Sequence, residues 1–255
     1  MMLNNLKKKR LAFLVVYIPL ACLLVYFWRP IYLISIIVVL VPPAILNFLW
    51  LKKSHFKILF FALVTTILFA PPVELAARLA NAWDVQSILP RLFGIAPLEN
   101  ILFAFLNFFW VLCFYEYFID KDLSYKISKR LRLIILGYCL LALIIFSLYF
   151  INPGLVTINY SLLALIILIV PGIIIFYLNP KILKKTWLPT LFFAYVFFLY
   201  EVISLIIGSW WWPGEYLWPI NLAGKVFPLD DVIIWYLLST PVLIGGYEFF
   251  VDDNK

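Results

Sequence analysis

Eight apolar stretches, each long enough to cross a lipid bilayer as a helix, limit what this chain can fold into. A helix needs roughly 17–25 predominantly apolar residues to span a hydrocarbon core about 30 Å thick. Such stretches occupy residues 11–28, 31–51, 56–79, 98–118, 132–151, 157–178, 187–208 and 229–250. Because 66% of the residues are hydrophobic and only 13% are charged, a water-soluble fold is excluded. The sequence predicts an all-α integral membrane protein with about eight transmembrane helices.

The basic residues predict how these helices are oriented in the membrane. With the amino terminus inside, 16 of the 20 Lys and Arg residues fall on the cytoplasmic side. The remaining four are Arg29, Arg78, Arg91 and Lys225. By the positive-inside rule, this asymmetry predicts a protein of the cytoplasmic membrane with both termini cytoplasmic. The net charge of +7 then reflects topology and contact with anionic lipids of the bilayer, and we expect no nucleic-acid partner.

The first apolar stretch is expected to remain as an anchor, although a basic run precedes it as in a signal peptide. Phe27-Trp28-Arg29-Pro30 follows it and offers no small-residue cleavage site.

The three cysteines lie in apolar stretches without CxxC spacing, which is typical of small apolar fillers. His55 is the only histidine, so a catalytic triad or a His-rich metal site is not expected.

A set of landmarks occurs twice along the chain. Glu74 precedes Trp83 by nine positions, and Glu201 precedes Trp210 by the same nine. The copies are displaced by 127 to 132 residues at five landmark pairs: Val41 and Val170, Glu74 and Glu201, Trp83 and Trp210, Pro97 and Pro228, and Tyr115 and Tyr247. A nearly constant displacement indicates tandem duplication of a four-helix unit. Because four is even, the two repeats are expected to be parallel and not inverted.

The duplication predicts the domain organisation. Residues 1–122 form the first four-helix repeat and residues 132–255 the second. Residues 123–131 lie within the longest polar segment of the chain and are expected to be a cytoplasmic linker.

Five acidic side chains are expected at one membrane level, near the outer ends of the helices: Glu74, Glu99, Glu201, Asp230 and Asp231. A carboxylate at membrane depth costs about 2.5–3.5 kcal/mol on insertion scales, so its presence calls for a reason. For Glu99, Asp230 and Asp231 two reasons stay open. A carboxylate after proline stabilises a helix start. Alternatively, burial and adjacent acids keep a carboxyl protonated near neutral pH, as acid catalysis on an apolar substrate requires.

Two further acids, Glu116 and Glu248, are expected at the opposite, cytoplasmic ends of their helices. Lys121 and Lys255 follow them in the sequence. For both acids, ion pairing at the membrane interface is the favoured interpretation.

The duplicated motif resembles that of the flavin-independent lycopene cyclases of the heterodimeric and fused types. Their repeat carries an acid, then a Trp, then a stretch leading to L-P-x-E-E or P-L-E-E at the head of an apolar helix. The matching residues here are Glu74, Trp83, Gly94 and Pro97-Leu98-Glu99-Asn100, and Glu201, Trp210, Gly224 and Pro228-Leu229-Asp230-Asp231. Neither copy has Glu-Glu. Since asparagine cannot donate a proton, either the first repeat is structural or the substrate is another isoprenoid.

The resemblance implies a carotenoid cyclase, an intramolecular lyase or isomerase of the lycopene type. A buried carboxylic acid would protonate the terminal double bond of a linear ψ-end group, and a neighbouring double bond would close a six-membered ring. The implied substrate is an apolar polyene in the membrane, and the implied partners are enzymes of the carotenoid pathway. Because the reaction has no net redox change and the chain has no GxGxxG fingerprint, we expect no cofactor and no metal.

The resemblance also implies roles for individual residues. Glu99, Asp230 and Asp231 would exchange protons with the substrate, and Glu74 and Glu201 would be the acids facing them. Trp83 and Trp210 would form walls that stabilise a carbocation. Asn100 would contact the substrate in place of the second acid.

Other classes of membrane protein fit less well. A prenyltransferase needs aspartates spaced to hold magnesium and diphosphate, which this chain lacks. A retinal protein needs a lysine in its last helix, and residues 229–250 contain none. A non-catalytic carotenoid-binding protein and a small-solute transporter both stay open, because paired repeats and buried acids also suit them. The sequence leaves the oligomeric state open.

Overall fold

The computed structural model describes residues 4–122, 127–156, 162 and 168–251, and it is 76% helical. The helices are α1 (Asn5–Trp28), α2 (Tyr32–Trp50), α3 (His55–Leu79), α4 (Leu98–Tyr115), α5 (Leu131–Ile151), α6 (Val170–Leu178), α7 (Lys181–Ile207) and α8 (Leu229–Phe250). All of these except α6 are long and apolar enough to cross a membrane. The prediction of an all-α membrane protein is therefore confirmed.

The predicted span at residues 157–178 is only partly described. Residues 157–161 and 163–167 lie outside the described residues, and α6 corresponds to the second half of the span. The predicted count of eight transmembrane helices therefore stays a prediction.

Two helices begin six residues before the predicted starts of their spans. In α1, the side chain of Asn4 accepts the backbone N–H of Lys7 at 2.8 Å and caps the helix. The basic run is therefore helical, and the guanidinium of Arg10 donates to the hydroxyl of Tyr117 at 2.5 Å. In α7, the helix begins at Lys181. Long basic side chains extend apolar helices in this way because their stems pack on apolar surface while their charged ends reach polar groups.

Two loops, residues 80–97 and 208–228, lie together at what we call the loop end of the bundle. Strand β1 (Asp84–Val85) of the first loop pairs antiparallel with β4 (Trp210–Trp211) of the second. Each loop also forms a hairpin, β2 (Arg91–Leu92) with β3 (Ala96–Pro97), and β5 (Pro219–Leu222) with β6 (Lys225–Pro228).

The two hairpins turn at corresponding positions. Phe93 and Gly94 have φ values of 53° and 72°, and Ala223 and Gly224 have φ values of 53° and 76°. Two successive residues in the left-handed region are typical of a type I′ hairpin turn, and glycine adopts this conformation without steric cost. Each turn directs the chain back to the proline that precedes α4 or α8.

The pairing of β1 with β4 relates the two predicted repeats. Asp84 lies opposite Trp211, and these residues are 127 positions apart, like the two Glu-Trp landmarks. Antiparallel pairing of corresponding residues is what a two-fold relation between two copies would give. The pairing agrees with the predicted duplication. The division at residues 123–131 stays a prediction, and residues 123–126 lie outside the described residues.

Helices of the two predicted repeats share one core. Helix α1 packs on α7, and α4 packs on α2, α3 and α7. Between α4 and α7, the ring of Phe114 stacks on that of Phe192 with centroids 4.5 Å apart.

We call the end of the bundle opposite the loops the basic end. It contains Glu116 and Glu248, each of which follows a tyrosine in the sequence. Nζ of Lys57 lies 2.9 Å from Oε1 of Glu116, and Nζ of Lys185 lies 3.2 Å from Oε1 of Glu248. The sequence favoured Lys121 and Lys255 as partners, and Lys255 lies outside the described residues.

Tyrosines join the two ion pairs across the two predicted repeats. Tyr115 donates its hydroxyl to Glu248, and Tyr247 donates its hydroxyl to Glu116. Each tyrosine thus contacts the glutamate that follows the other tyrosine in the sequence, so the pattern is reciprocal. It fastens α4 to α8 at the basic end.

Candidate functional site

A cavity of about 170 Å³ lies towards the loop end, between α2, α3, α4, α7 and α8. Six of the eight site residues predicted from the sequence line it: Glu74, Trp83, Asn100, Glu201, Trp210 and Asp231. Each predicted repeat supplies three of them. The structure thus brings the duplicated motifs together around one space.

The first copy of the motif forms a chain of hydrogen bonds. Oε1 of Glu74 accepts the indole N–H of Trp83 at 3.1 Å and the side-chain amide N–H of Asn100 at 2.9 Å. The hydroxyl of Tyr32, from α2, donates to Oδ1 of Asn100 at 2.9 Å. Nε of Arg78 lies 3.7 Å from Oε2 of Glu74 and provides a cationic partner one helical turn away.

The second copy repeats the indole contact without the cation. Oε1 of Glu201 accepts the indole N–H of Trp210 at 2.7 Å and that of Trp212 at 2.9 Å. Among the described residues, no Lys or Arg forms an ion pair with Glu201. The two glutamates therefore occupy corresponding places with different surroundings.

The local fold explains why a spacing of nine residues recurs. Helix α7 continues for six residues beyond Glu201 and ends at Ile207, where Gly208 adopts a φ of 75° and caps it. The left-handed cap reverses the chain direction. The following residues then run back along the helix, and Trp210 reaches Glu201.

Asp231 occupies the position in the second copy that Asn100 occupies in the first, 131 residues earlier. Directly after it, residues Val232–Leu238 of α8 are π-helical and bring Trp235 and Tyr236 to the cavity. Tyr236 lies within electrostatic reach of both Glu201 and Asp231. Single π-helical segments occur frequently at functional sites because they redirect side chains.

Glu99 and Asp230 lie outside the cavity lining that the structure describes. Glu99 is fully buried and accepts the backbone N–H groups of Ile88 and Leu89, each at 2.7 Å, and the hydroxyl of Ser87 at 2.8 Å. Its contacts fix the loop that precedes β2. The prediction that Glu99 or Asp230 exchanges a proton with the substrate gains no support from these positions.

Aromatic rings form much of the cavity wall. Trp83 packs edge-to-face on Trp212 and Trp235, with ring centroids 6.1 and 6.3 Å apart. Trp210 packs in the same way on Tyr32 and Tyr200, at 5.5 and 5.1 Å. Such rings exclude water and present faces that attract a cation.

Sequence reasoning missed several lining residues, and helical periodicity could have found some of them. Phe103, Ala104 and Asn107 follow Asn100 by three, four and seven positions, and all three line the cavity. Residues at this spacing share one face of a helix. Tyr32 offered no comparable signal, because it comes from α2 across the bundle.

The lining combines groups that can give or take a proton with walls that exclude water. Within the described residues, no group of three or more His, Cys, Asp or Glu side chains could hold a metal ion. Acid–base chemistry on an apolar molecule is what such an arrangement can support.

Comparison of the chain with protein-family models, with curated proteins and with solved structures finds no match in any of the three. The function proposed below therefore rests on the site and on the sequence motifs.

Proposed function

We propose that the chain is a membrane cyclase of linear isoprenoids that closes the ψ-end of a lycopene-type polyene by acid catalysis. The observation that carries this proposal is the meeting of Glu74, Glu201 and Asp231 in one aromatic cavity. The proposal includes eight transmembrane helices in two parallel four-helix repeats, with both termini cytoplasmic in the cytoplasmic membrane. The resemblance of the duplicated motif to flavin-independent lycopene cyclases supports it.

Glu201 and Asp231 form the acid side of the site in this proposal. Both indole N–H groups near Glu201 bind its Oε1, and the hydroxyl of Tyr236, which lines the cavity, is a further hydrogen-bond partner of this carboxyl. Aromatic surroundings, with no cationic partner among the residues that the structure describes, suit a carboxyl that must meet its substrate protonated. Asp231 is the second acid that can supply or replace this proton.

Ring closure follows from protonation of the terminal double bond at the polyene tip. The proton adds to one alkene carbon and leaves positive charge on the tertiary carbon beside it. The π electrons of the neighbouring internal double bond attack this carbon, which closes a six-membered ring and moves the charge to a ring carbon. The faces of Trp83, Trp212 and Trp235 would stabilise these cations, by about 2 kcal/mol or more where water is excluded.

Glu74 is the base side of the site. It is paired with Arg78 and accepts N–H groups of Trp83 and Asn100, which suits a carboxylate that waits for a proton. Loss of a proton from the ring carbon next to the cation regenerates a double bond. One proton is gained and one is lost, so the product is an isomer of the substrate.

The exchange of Asn100 for Asp231 between the copies fits this division of roles. An amide next to Glu74 donates a hydrogen bond to the carboxylate and cannot give a proton. Asp231, the acid in the corresponding place of the second copy, can give a proton. The two repeats would thus contribute opposite halves of one acid–base pair.

The test is expression of the chain in a host that accumulates a linear ψ-ended carotene, followed by extraction and chromatography of the pigments. The wild-type chain should form cyclised product. Glu201→Gln and Asp231→Asn should each reduce the cyclisation rate by about 10²–10⁴-fold, as expected for loss of general acid catalysis. Asp230→Asn is the matched control, because Asp230 neighbours Asp231 and lies outside the lining, and it should retain the wild-type rate.

Two outcomes would contradict the proposal. Uncyclised pigment that copurifies with the wild-type chain would favour a carotenoid-binding protein. Absence of both product and bound pigment would favour a transporter.

A further inference from the structure

A second cavity of about 310 Å³ adjoins the first. It is bounded by α3, α4, α5, α6 and α8, and four residues line both cavities: Phe69, Phe108, Trp235 and Ser239. The two spaces therefore lie on either side of the same side chains. The second continues the first along the bundle, away from the loops.

The chemistry of the second cavity differs from that of the first. No Asp, Glu, Lys or Arg occurs in its described lining, which is formed mainly by aromatic and aliphatic side chains. The hydroxyl of Ser239 donates to the backbone carbonyl of Trp235 within α8, so its donor is already used. A space of this kind suits a hydrocarbon.

The dimensions of the two cavities suit an elongated molecule. The acid-lined cavity is close in volume to an apolar cavity of about 150 Å³ that holds one benzene ring, so it accommodates the tip of a polyene and not its length. The second cavity follows α8 from Trp235 to Phe250, a rise of about 22 Å at 1.5 Å per residue. The part of a long chain next to its tip would find its space there.

We propose that this second cavity binds the part of the unreacted chain that adjoins the tip of the linear isoprenoid, while the tip occupies the acid-lined cavity. The inference rests on the proposed function for the identity of the ligand. The substrate would then lie along the bundle axis, with its reacting tip in the acid-lined cavity on the loop side of Trp235. Only one end of a symmetric polyene can then react per binding event, so the product with one ring forms before the product with two.

Two glycines provide a way to fill the second cavity. Gly137 on α5 and Gly246 on α8 line it, and a Cβ atom added to either would meet nothing within 4 Å. Both positions therefore have room for a larger side chain at the cavity without displacement of the backbone. Gly245 is unsuitable, because its Cβ would lie 2.6 Å from Cγ2 of Ile175.

The experiment compares Gly137→Phe and Gly246→Phe with Leu136→Phe. Leu136 precedes Gly137 on α5, and its side chain is 64% exposed on the outer face of the bundle, so it controls for added bulk. The purified proteins in detergent are incubated with lycopene or with a short acyclic terpene hydrocarbon that carries the same tip. Bound ligand is extracted and quantified after separation from free ligand.

Both glycine variants should bind lycopene about tenfold more weakly than the wild type, because an overfilled cavity excludes the chain. They should bind the short terpene unchanged, and Leu136→Phe should bind both ligands like the wild type. Wild-type binding of lycopene by the glycine variants would overturn the inference. An equal loss of both ligands would overturn it too. If a phenylalanine variant fails to fold, Gly137→Leu and Gly246→Leu make the same comparison with a smaller side chain.

The experiment separates this inference from the proposed function. In one outcome, the wild type binds lycopene without cyclising it, while the two glycine variants bind it more weakly. In that case the proposed function fails and the inference stands. If the wild type cyclises lycopene but the glycine variants bind it normally, the inference fails and the function stands.

Discussion

The indole N–H of Trp210 donates to Oε1 of Glu201 at 2.7 Å. The same bond recurs between Trp83 and Glu74 at 3.1 Å, with the same spacing of nine residues. In both copies a loop residue thus orients an acid near the end of a helix. A hydrogen bond to a buried carboxyl fixes its rotamer, so we regard the two indoles as positioning residues as well as walls of the cavity.

Trp210→Phe tests this positioning role, because it keeps an aromatic ring and removes the donor. We expect the cyclisation rate to fall about tenfold, the equivalent of one hydrogen bond of about 1.5 kcal/mol. The turnover number should fall more than the Michaelis constant changes, since the ring still fills the wall. Trp211→Phe is the control, because Trp211 is the exposed neighbour in β4. Equal rates for the two variants would show that the indole N–H has no positioning role.

The reciprocal pairs at the basic end make a prediction about stability. Lys57 and Glu116 have no exposed side-chain surface, whereas the side chain of Lys185 beside Glu248 is 40% exposed. Removing one partner from a buried pair leaves an uncompensated charge and costs about 3–5 kcal/mol. Lys185 contacts both Asp120 and Glu248, but its own charge is partly exposed, so solvent screens it and the loss on its removal is smaller. In denaturant unfolding in mixed micelles, Lys57→Met should therefore lose several times more unfolding free energy than Lys185→Met, and similar losses would contradict this account.

Asp122 gives a prediction about pH. Burial raises its pKa, but hydrogen bonds from the Ser54 hydroxyl and from the backbone N–H groups of Lys52, Lys53 and Ser54 lower it by more, so its pKa lies below the ordinary value. A carboxyl whose pKa is lower in the folded state stabilises the fold above its unfolded pKa. This contribution is lost as the pH falls through the folded pKa.

Asp122→Asn should therefore lower the melting temperature at neutral pH, by an amount equivalent to about 1 kcal/mol. The difference from the wild type should shrink below about pH 4, where the wild-type carboxyl also becomes protonated. Glu215→Gln, in an exposed position of the second loop, should leave the melting temperature unchanged. A difference that stays constant down to low pH would show that the carboxylate does not anchor the turn between α2 and α3.

The sequence predicted the parts of the site that depend on local repetition. The spacing of Glu74 to Trp83 is the same as that of Glu201 to Trp210, because both helices end a few residues beyond the acid and the chain turns back. Such geometry is set within about ten residues, so a pattern in the sequence can reveal it. The apolar stretches likewise predicted the helices, since their length is fixed by the bilayer.

The relationships that the sequence did not reveal depend on contacts between distant elements. The carboxyl of Glu99 accepts hydrogen bonds from the loop at residues 87–89, which folds over it. Lys57 lies 59 positions before Glu116 in the sequence and pairs with it through the packing of α3 on α4. Neither relationship leaves a periodic signal, because it arises only when the helices assemble.

The most direct test of the central claim is cyclisation by the purified chain in heavy water, with mass spectrometry of the product. If a carboxyl of the protein protonates the polyene tip, its exchangeable proton becomes a deuteron, and the product retains one deuteron for each ring. The double variant Glu201→Gln, Asp231→Asn should give neither ring nor deuterium. Cyclised product without incorporated deuterium, or wild-type incorporation by the double variant, would contradict proton transfer from these acids.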